Sequence, residues 1–180
     1  DRNSNTVKLG RKGMRINLGG IAKGYIVSQA AEKIKSKGIK KGIIHAGGDM
    51  FVFNESDNKP FKIGIQHPRE KDKIIGTIEI LNGAVATSGD YERFFIKDGI
   101  RYHHIMDPKT GFPASKIRAV TIVAKDGTMA DAISTAVFVM GLEDGMKLIE
   151  KLPDIEGLII DANGNVHLSS GLKGYTQAAN

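Results

Sequence analysis

The chain has 180 residues, 41% of them hydrophobic, which suits one domain with a sizeable core. It contains no cysteine, which excludes disulfides, thiolate catalysis and Cys-based zinc sites, and no apolar run long enough for a transmembrane helix. The net charge is +6, but the lysines alternate with acids, as in Arg69-Glu70-Lys71-Asp72-Lys73, and there is no Trp. That pattern fits a solvated mixed-charge face better than a nucleic-acid footprint, and equally suits an anionic small ligand. The opening Asp1-Arg2-Asn3-Ser4-Asn5, without Met, reads as the start of a fragment or a processed chain.

In chain order, Met14–Leu18 reads as a strand running into Gly19-Gly20. A helix is expected from about Ile21 to Lys37, with Ile26, Ala30 and Ile34 at four-residue spacing and Gly38 closing it. Short strands follow at Gly42–His45, Met50–Phe53, Phe61–Gln66 and Ile74–Leu81, the first two separated by Gly47-Gly48. Ala86–Tyr91 reads as a polar connection leading out of a buried strand. Tyr91–Lys97 and Ile100–Ile105 flank Asp98-Gly99, a strong hairpin signal. After a strand at Ala119–Ala124, Asp126-Gly127-Thr128 caps a helix over Met129–Met140. A second short helix spans Glu143–Leu152, and Leu158–Asp161 and Val166–Ser169 form a last hairpin around Asn163-Gly164. Sheet, hairpins and a few covering helices make the class α+β.

Four stretches could carry chemistry. Asn17-Leu18-Gly19-Gly20-Ile21-Ala22-Lys23-Gly24-Tyr25 combines a small-residue turn with a helix start, where backbone N–H groups and Lys23 suit a phosphate. It matches neither the P-loop nor the dinucleotide spacing, and a plain strand-to-helix turn is the competing reading. Thr87-Ser88-Gly89-Asp90 offers hydroxyls beside glycine, or an ordinary polar turn. In Tyr102-His103-His104 the two imidazoles fall on opposite faces of a strand, so at most one faces a site; Asp107-Pro108-Lys109-Thr110-Gly111 is turn chemistry. Asp131 and Thr135 share one helix face with Ser134 beside them, an oxygen-only set that suits magnesium rather than zinc. The competing reading has Asp131 only stabilising a helix N-terminus. No Gly-x-Ser-x-Gly elbow supports a serine hydrolase.

Taken in order, these stretches resemble the ApbE family of FAD:protein FMN transferases. Leu18–Tyr25 is similar to that family's strand-to-helix motif, Gly47-Gly48-Asp49 to its Gly-Gly-Asn/Asp turn, and Thr87–Tyr91 and His104–Gly111 to its central motifs. Ala130-Asp131-Ala132 with Thr135 resembles its metal helix. The resemblance runs from about Met14 to Ser170 and implies a T-fold-like α+β architecture, FAD as substrate and Mg2+. The implied reaction moves FMN to a Ser or Thr hydroxyl of an acceptor flavoprotein subunit and releases AMP, outside the cytoplasm, in chains that are commonly exported or lipid-anchored. Residue by residue, Asp131 and Thr135 match side-chain magnesium ligands, Gly20 matches a ligand through its carbonyl, and Ser134 stands where some members carry a second carboxylate. Asn17, Lys23 and Met106 match flavin-nucleotide contacts, with Asn17 in place of the usual Asp; Thr87 and Ser88 belong with them. His104 is the candidate for proton transfer. Family members carry about a hundred further residues ahead of the first motif, more than one domain of this size needs, so residues 1–180 read as the C-terminal portion of such a chain, with an open sheet edge.

Three rivals stay open at this stage. An FAD pyrophosphatase with the same site would use water in place of a protein hydroxyl. A flavin-binding carrier would bind FAD and release no AMP. A basic nucleic-acid module would bind with steep salt dependence.

Overall fold

The computed structural model describes residues 1–178, and none of its helices is long and apolar enough to cross a membrane. Helix α1 (Ala22–Lys35) buries Gly24, Val27, Ser28 and Ala31, a stripe at helical spacing, and carries Lys33 and Lys35 in its last turn, where cations suit the helix dipole. Strands β1 (Lys41–Ala46) and β2 (Asp49–Asn54) form a hairpin. Its turn, Gly47-Gly48, has φ of 55° and 93°, a left-handed pair that glycine adopts without a Cβ penalty.

Strands β3 (Phe61–Gln66) and β4 (Ile74–Ile80) pair with each other, and β5 (Gly83–Gly89) returns to β2. Strands β6 (Phe94–Lys97) and β7 (Ile100–His103) make a separate hairpin around Asp98-Gly99. Strand β8 (Ile117–Ala124) leads into α2 (Gly127–Met140) and α3 (Leu142–Lys151). Strands β9 (Ile155–Asp161), β10 (Val166–Leu168) and β11 (Thr176–Gln177) complete the chain. The α2 N-terminus is capped by Asp126, whose Oδ1 accepts from Thr128 N at 2.5 Å and Met129 N at 3.4 Å.

The layers follow from strand alternation. Six antiparallel strands, in the order β1-β2-β5-β8-β9-β10, form the central sheet. One face meets the helices: Phe51 and Phe53, Ala84 and Ala86, Val120 and Ile122 pack with Val27, Val137, Phe138 and Ile149. The other face meets a three-stranded sheet, β11-β4-β3: Val52, Val85, Leu158 and Ile160 pack with Ile63, Ile65, Ile78 and Ile80. Successive residues of β2, β5 and β9 thus enter opposite cores, as a pleated strand dictates. In β8 the register slips between Ile117 and Ala119 at its pairing with β9. Truncating a fully buried residue such as Phe138 should cost about 3–5 kcal/mol.

The α+β class stands, and every strand pairing among the described residues is antiparallel. Three expectations are corrected. Met14–Leu18 is not a strand; it is irregular and exposed, Leu18 at 61%. Alternation alone does not make a strand, because its N–H and C=O groups need a neighbour, and no described strand lies beside it. Thr87 to Gly89 continue β5 instead of turning, since each pairs across to β8 (Thr87 with Thr121, Ser88 with Val120, Gly89 with Ala119). Tertiary pairing overrides the turn propensity of Ser-Gly there. Helix α2 begins two residues earlier than expected, because the Asp126 cap admits Gly127 and Thr128 to the first turn.

Candidate active site

The site is built on the seam between α1 and α2, where two glycines face each other. A methyl on Gly24 would collide with the Gly127 carbonyl and lie 2.7 Å from Asp131 Cβ. This close approach lets backbone groups of one helix serve side chains of the other. Gly24 N donates to Asp131 Oδ2 at 3.0 Å, and Gly127 N donates to Ser28 Oγ at 2.8 Å, both bonds buried. Asp131 is only 3% exposed, so its orientation is fixed by the backbone of the opposite helix.

Around Asp131 the donors are all oxygens. Ser134 Oγ donates to the Asp131 carbonyl at 2.9 Å and lies 2.8 Å from Ser88 Oγ. With the Ser134 proton so used, Ser88 is the donor of that pair, and Thr135 Oγ1 follows at 3.4 Å from Ser88 Oγ. Thr135 faces Gly20, where an added Cβ would sit 3.3 Å from its hydroxyl. Gly20 therefore brings backbone up against the α2 hydroxyls.

Asp49, the first residue of β2, enters the same cluster. It is 1% exposed, and neither carboxylate oxygen has a hydrogen-bond partner among the described residues. Lys23 Nζ stands 2.9 Å from Asp49 Oδ2 as an ion pair. Burial pushes the Asp49 carboxyl up to about 6; Lys23 opposes the rise, and the neighbouring Asp131 carboxylate adds to it. Lys23 itself is 39% exposed, so its ammonium joins the buried acid to the surface.

Of the residues expected at the site, the structure gathers Gly20, Lys23, Ser88, Asp131, Ser134 and Thr135. Thr87 points through the opposite face of β5 and meets Thr121 at 2.9 Å. Asn17 Oδ1 accepts from Gly19 N at 2.7 Å, shaping the turn into α1. The open amides expected at the start of α1 are largely spent. Ile21 N and Ala22 N donate to the Leu18 carbonyl at 3.1 and 2.9 Å, and Gly24 N to Asp131. Positive charge there comes chiefly from Lys23.

The two adjacent histidines separate as alternation requires. His103 is buried, with Nε2 at 2.8 Å from the Ala114 carbonyl, edge-on to Phe138, and Ile105 N donating to Nδ1 at 3.3 Å. Those bonds fix the Nε2-protonated tautomer, and burial holds its pKa below the ordinary value. His104 is exposed and Met106 is 46% exposed. Both belong to the stretch that closes through the Met106–Pro113 bridge, with Gly111 N donating to the Asp107 carbonyl at 2.8 Å as the turn sequence foretold. The residue that sequence reading left without a role is Asp49. Its signal was an acid placed directly after a left-handed Gly-Gly turn, at the head of a strand with both faces buried.

These donors fit a hard cation. Among the described residues no three His, Cys, Asp or Glu side chains gather, so hydroxyls and backbone would complete any ligand set around Asp131. Two carboxylates, hydroxyls and nearby backbone are the set that magnesium accepts. Two buried carboxylates, with Lys23 as the cation beside them, leave room for a further positive charge.

Fold and cluster together define an α+β protein with an oxygen-lined polar seam between two helices, one lysine at its mouth. The ApbE family model matches residues 1–159, and the chain belongs to the ApbE family. It is 34% identical to the FAD:protein FMN transferase of Treponema pallidum, over 93% of this chain and 49% of that protein. It is 33% identical to the FAD:protein FMN transferase of Klebsiella pneumoniae, over 94% of this chain and 53% of that one. The crystal structure of the ApbE protein of Thermotoga maritima superposes with a TM-score of 0.83 at 44% identity, covering 90% of this chain and 53% of that one. The flavin transferase ApbE of Vibrio cholerae gives 0.75 at 34% identity, covering 89% and 52%. The chain thus spans about half the length of the curated relatives it matches.

Proposed function

We propose that this chain carries the cation and pyrophosphate end of an FAD:protein FMN transferase. Family membership supports that reading, and one observation carries it to named residues. Across the Gly24–Gly127 contact of α1 and α2, the Lys23 ammonium meets a cluster of oxygens around Asp131 and Asp49. In the reaction an acceptor Ser or Thr oxygen bonds to the FMN phosphorus. The bridging P–O bond of FAD breaks, AMP leaves with that oxygen, and the acceptor proton passes to a base.

Asp131 Oδ2 is held by Gly24 N, which keeps its other oxygen oriented for a ligand. Asp131, Thr135 and the Gly20 carbonyl would hold magnesium, which neutralises charge building on the pyrophosphate when bound. Lys23 adds a positive charge at the same end. The Ser134–Ser88 pair fixes the hydroxyl face of α2 against β5, so Thr135 cannot rotate freely. His104 is exposed, where an incoming protein loop can reach it and present its hydroxyl proton to the imidazole. An extracytoplasmic setting belongs to the same reading.

The experiment is chromatography of FAD incubated with the chain and Mg2+, with and without an acceptor domain, alongside the acceptor's intact mass. AMP release with an FMN-sized mass gain is expected. AMP and free FMN without the gain would make the enzyme an FAD pyrophosphatase. FAD binding without AMP would leave two readings, a carrier or a fragment lacking part of the pocket, and the same assay on the full-length protein separates them.

A further inference from the structure

We propose that Asp49 is the second carboxylate of the divalent-cation site, sharing the ion with Asp131. The inference rests on the reading above that a divalent cation binds at Asp131.

Strand alternation puts Asp49 there. It has the parity of Phe51 and Phe53, so its side chain faces the helices, one end further along β2. That places it against Lys23 of α1 and Asp131 of α2. Both of its oxygens are shut off from water; among the described residues Oδ1 has no partner, and Oδ2 has only the Lys23 ammonium at 2.9 Å. A carboxylate in that position is costly unless a charge compensates it. Lys23 supplies one positive charge against two carboxylates, so the cluster as built is formally one charge negative. A divalent ion would make it one charge positive, the sign that attracts a pyrophosphate. Ser134 cannot take the role of second acid, because its hydroxyl is engaged by the Asp131 carbonyl and Ser88.

The competing role for a buried acid beside a lysine is that Asp49 only anchors Lys23. The two roles part on what Lys23 does to metal affinity. If Asp49 is a ligand, Lys23 competes electrostatically with the ion. If Asp49 is only an anchor, losing Lys23 or Asp49 has the same effect.

The test measures Mn2+ binding to the full chain by electron paramagnetic resonance, without nucleotide, with folding checked by circular dichroism. Asp49→Asn and Asp131→Asn should each weaken Mn2+ binding about tenfold or more, while Lys23→Met should bind at least as tightly as the parent. Wild-type affinity in Asp49→Asn, with Asp131→Asn impaired, overturns the inference and leaves the cation reading intact. Equal losses in Lys23→Met and Asp49→Asn also overturn it, in favour of the anchor. No Mn2+ binding by the parent, or none lost in Asp131→Asn, removes the cation reading itself. If Asp49→Asn does not fold, Asp49→Ser takes its place: weakened Mn2+ binding supports the ligand role, and the parent's affinity ends it.

Discussion

The two faces of the central sheet are packed by different rules. Against β3 and β4, Val52, Val85, Leu158 and Ile160 meet Ile63, Ile65, Ile78 and Ile80, and apolar side chains fill the space between the layers. On the helical face the same parity runs Phe53, Phe51, Asp49 along β2 and Ala84, Ala86, Ser88 along β5. At one end of that face the inward positions change from hydrocarbon to acid and hydroxyl, while the backbone geometry does not change. A site is made here by exchanging side chains within an unbroken pleat. The contrast teaches that the apolar sheet face supplies stability, and the polar end of the helical face costs some of it.

That comparison can be broken at graded points. The largest effect is expected for Asp131→Ala, which should lower magnesium-dependent turnover on the order of a hundredfold or more; full activity with unchanged magnesium dependence would remove the metal assignment. Gly24→Ala should destabilise by about 3 kcal/mol, because the methyl meets backbone of α2 that cannot rotate away. Urea unfolding measures it, and an unchanged midpoint would mean that the helices separate without cost.

A pH-dependent difference comes next. His103 is neutral in its buried setting and its pKa lies below the ordinary value, so the unfolded chain binds more protons just below about pH 6.5. Its contribution to stability is therefore lost as pH falls below that point. Asp49, raised to about 6, acts with the opposite sign: its unfavourable burial as a carboxylate grows as pH rises toward 6. The two overlap, so the quantity to measure is the difference between wild type and His103→Gln across pH 5 to 7. That difference should shrink as pH falls, and a flat difference would contradict the neutral buried imidazole. The smallest effect is expected for Asp126→Ala, a loss of about 1 kcal/mol from the α2 cap, read as a shift in thermal midpoint.

Much of the fold was legible because local chemistry and tertiary pairing agree. Asp98-Gly99 adopts φ of 51° and 76°, as a two-residue hairpin requires, and Asp126 caps its helix through its own side chain. The misreadings occur where a distant partner decides. Met14, Ile16 and Leu18 alternate as a strand would, yet strand identity depends on a neighbour's hydrogen bonds. Ser88-Gly89 has turn composition, yet β8 supplies partners that keep it extended. Within the site, Asp131 and Thr135 were readable from helical spacing alone. Asp49 was not, because its burial depends on β2, α1 and α2 meeting, and Asp131 lies 82 residues further along the chain (131 − 49), a distance that no sequence window spans.

The bond from Gly24 N to Asp131 has a consequence for how such a sequence can vary. A backbone amide is present whatever side chain occupies the position, so substitutions along the exposed side of α1 leave the acid's support in place. An insertion does not: one extra residue between Gly20 and Gly24 would turn the rest of α1 by about 100° relative to its start. Lys23, Gly24 and Ser28 would then all leave the seam together. On its exposed side the segment should therefore accept changes of letter far more readily than changes of length, while Gly24 and Lys23 keep both their place and their identity.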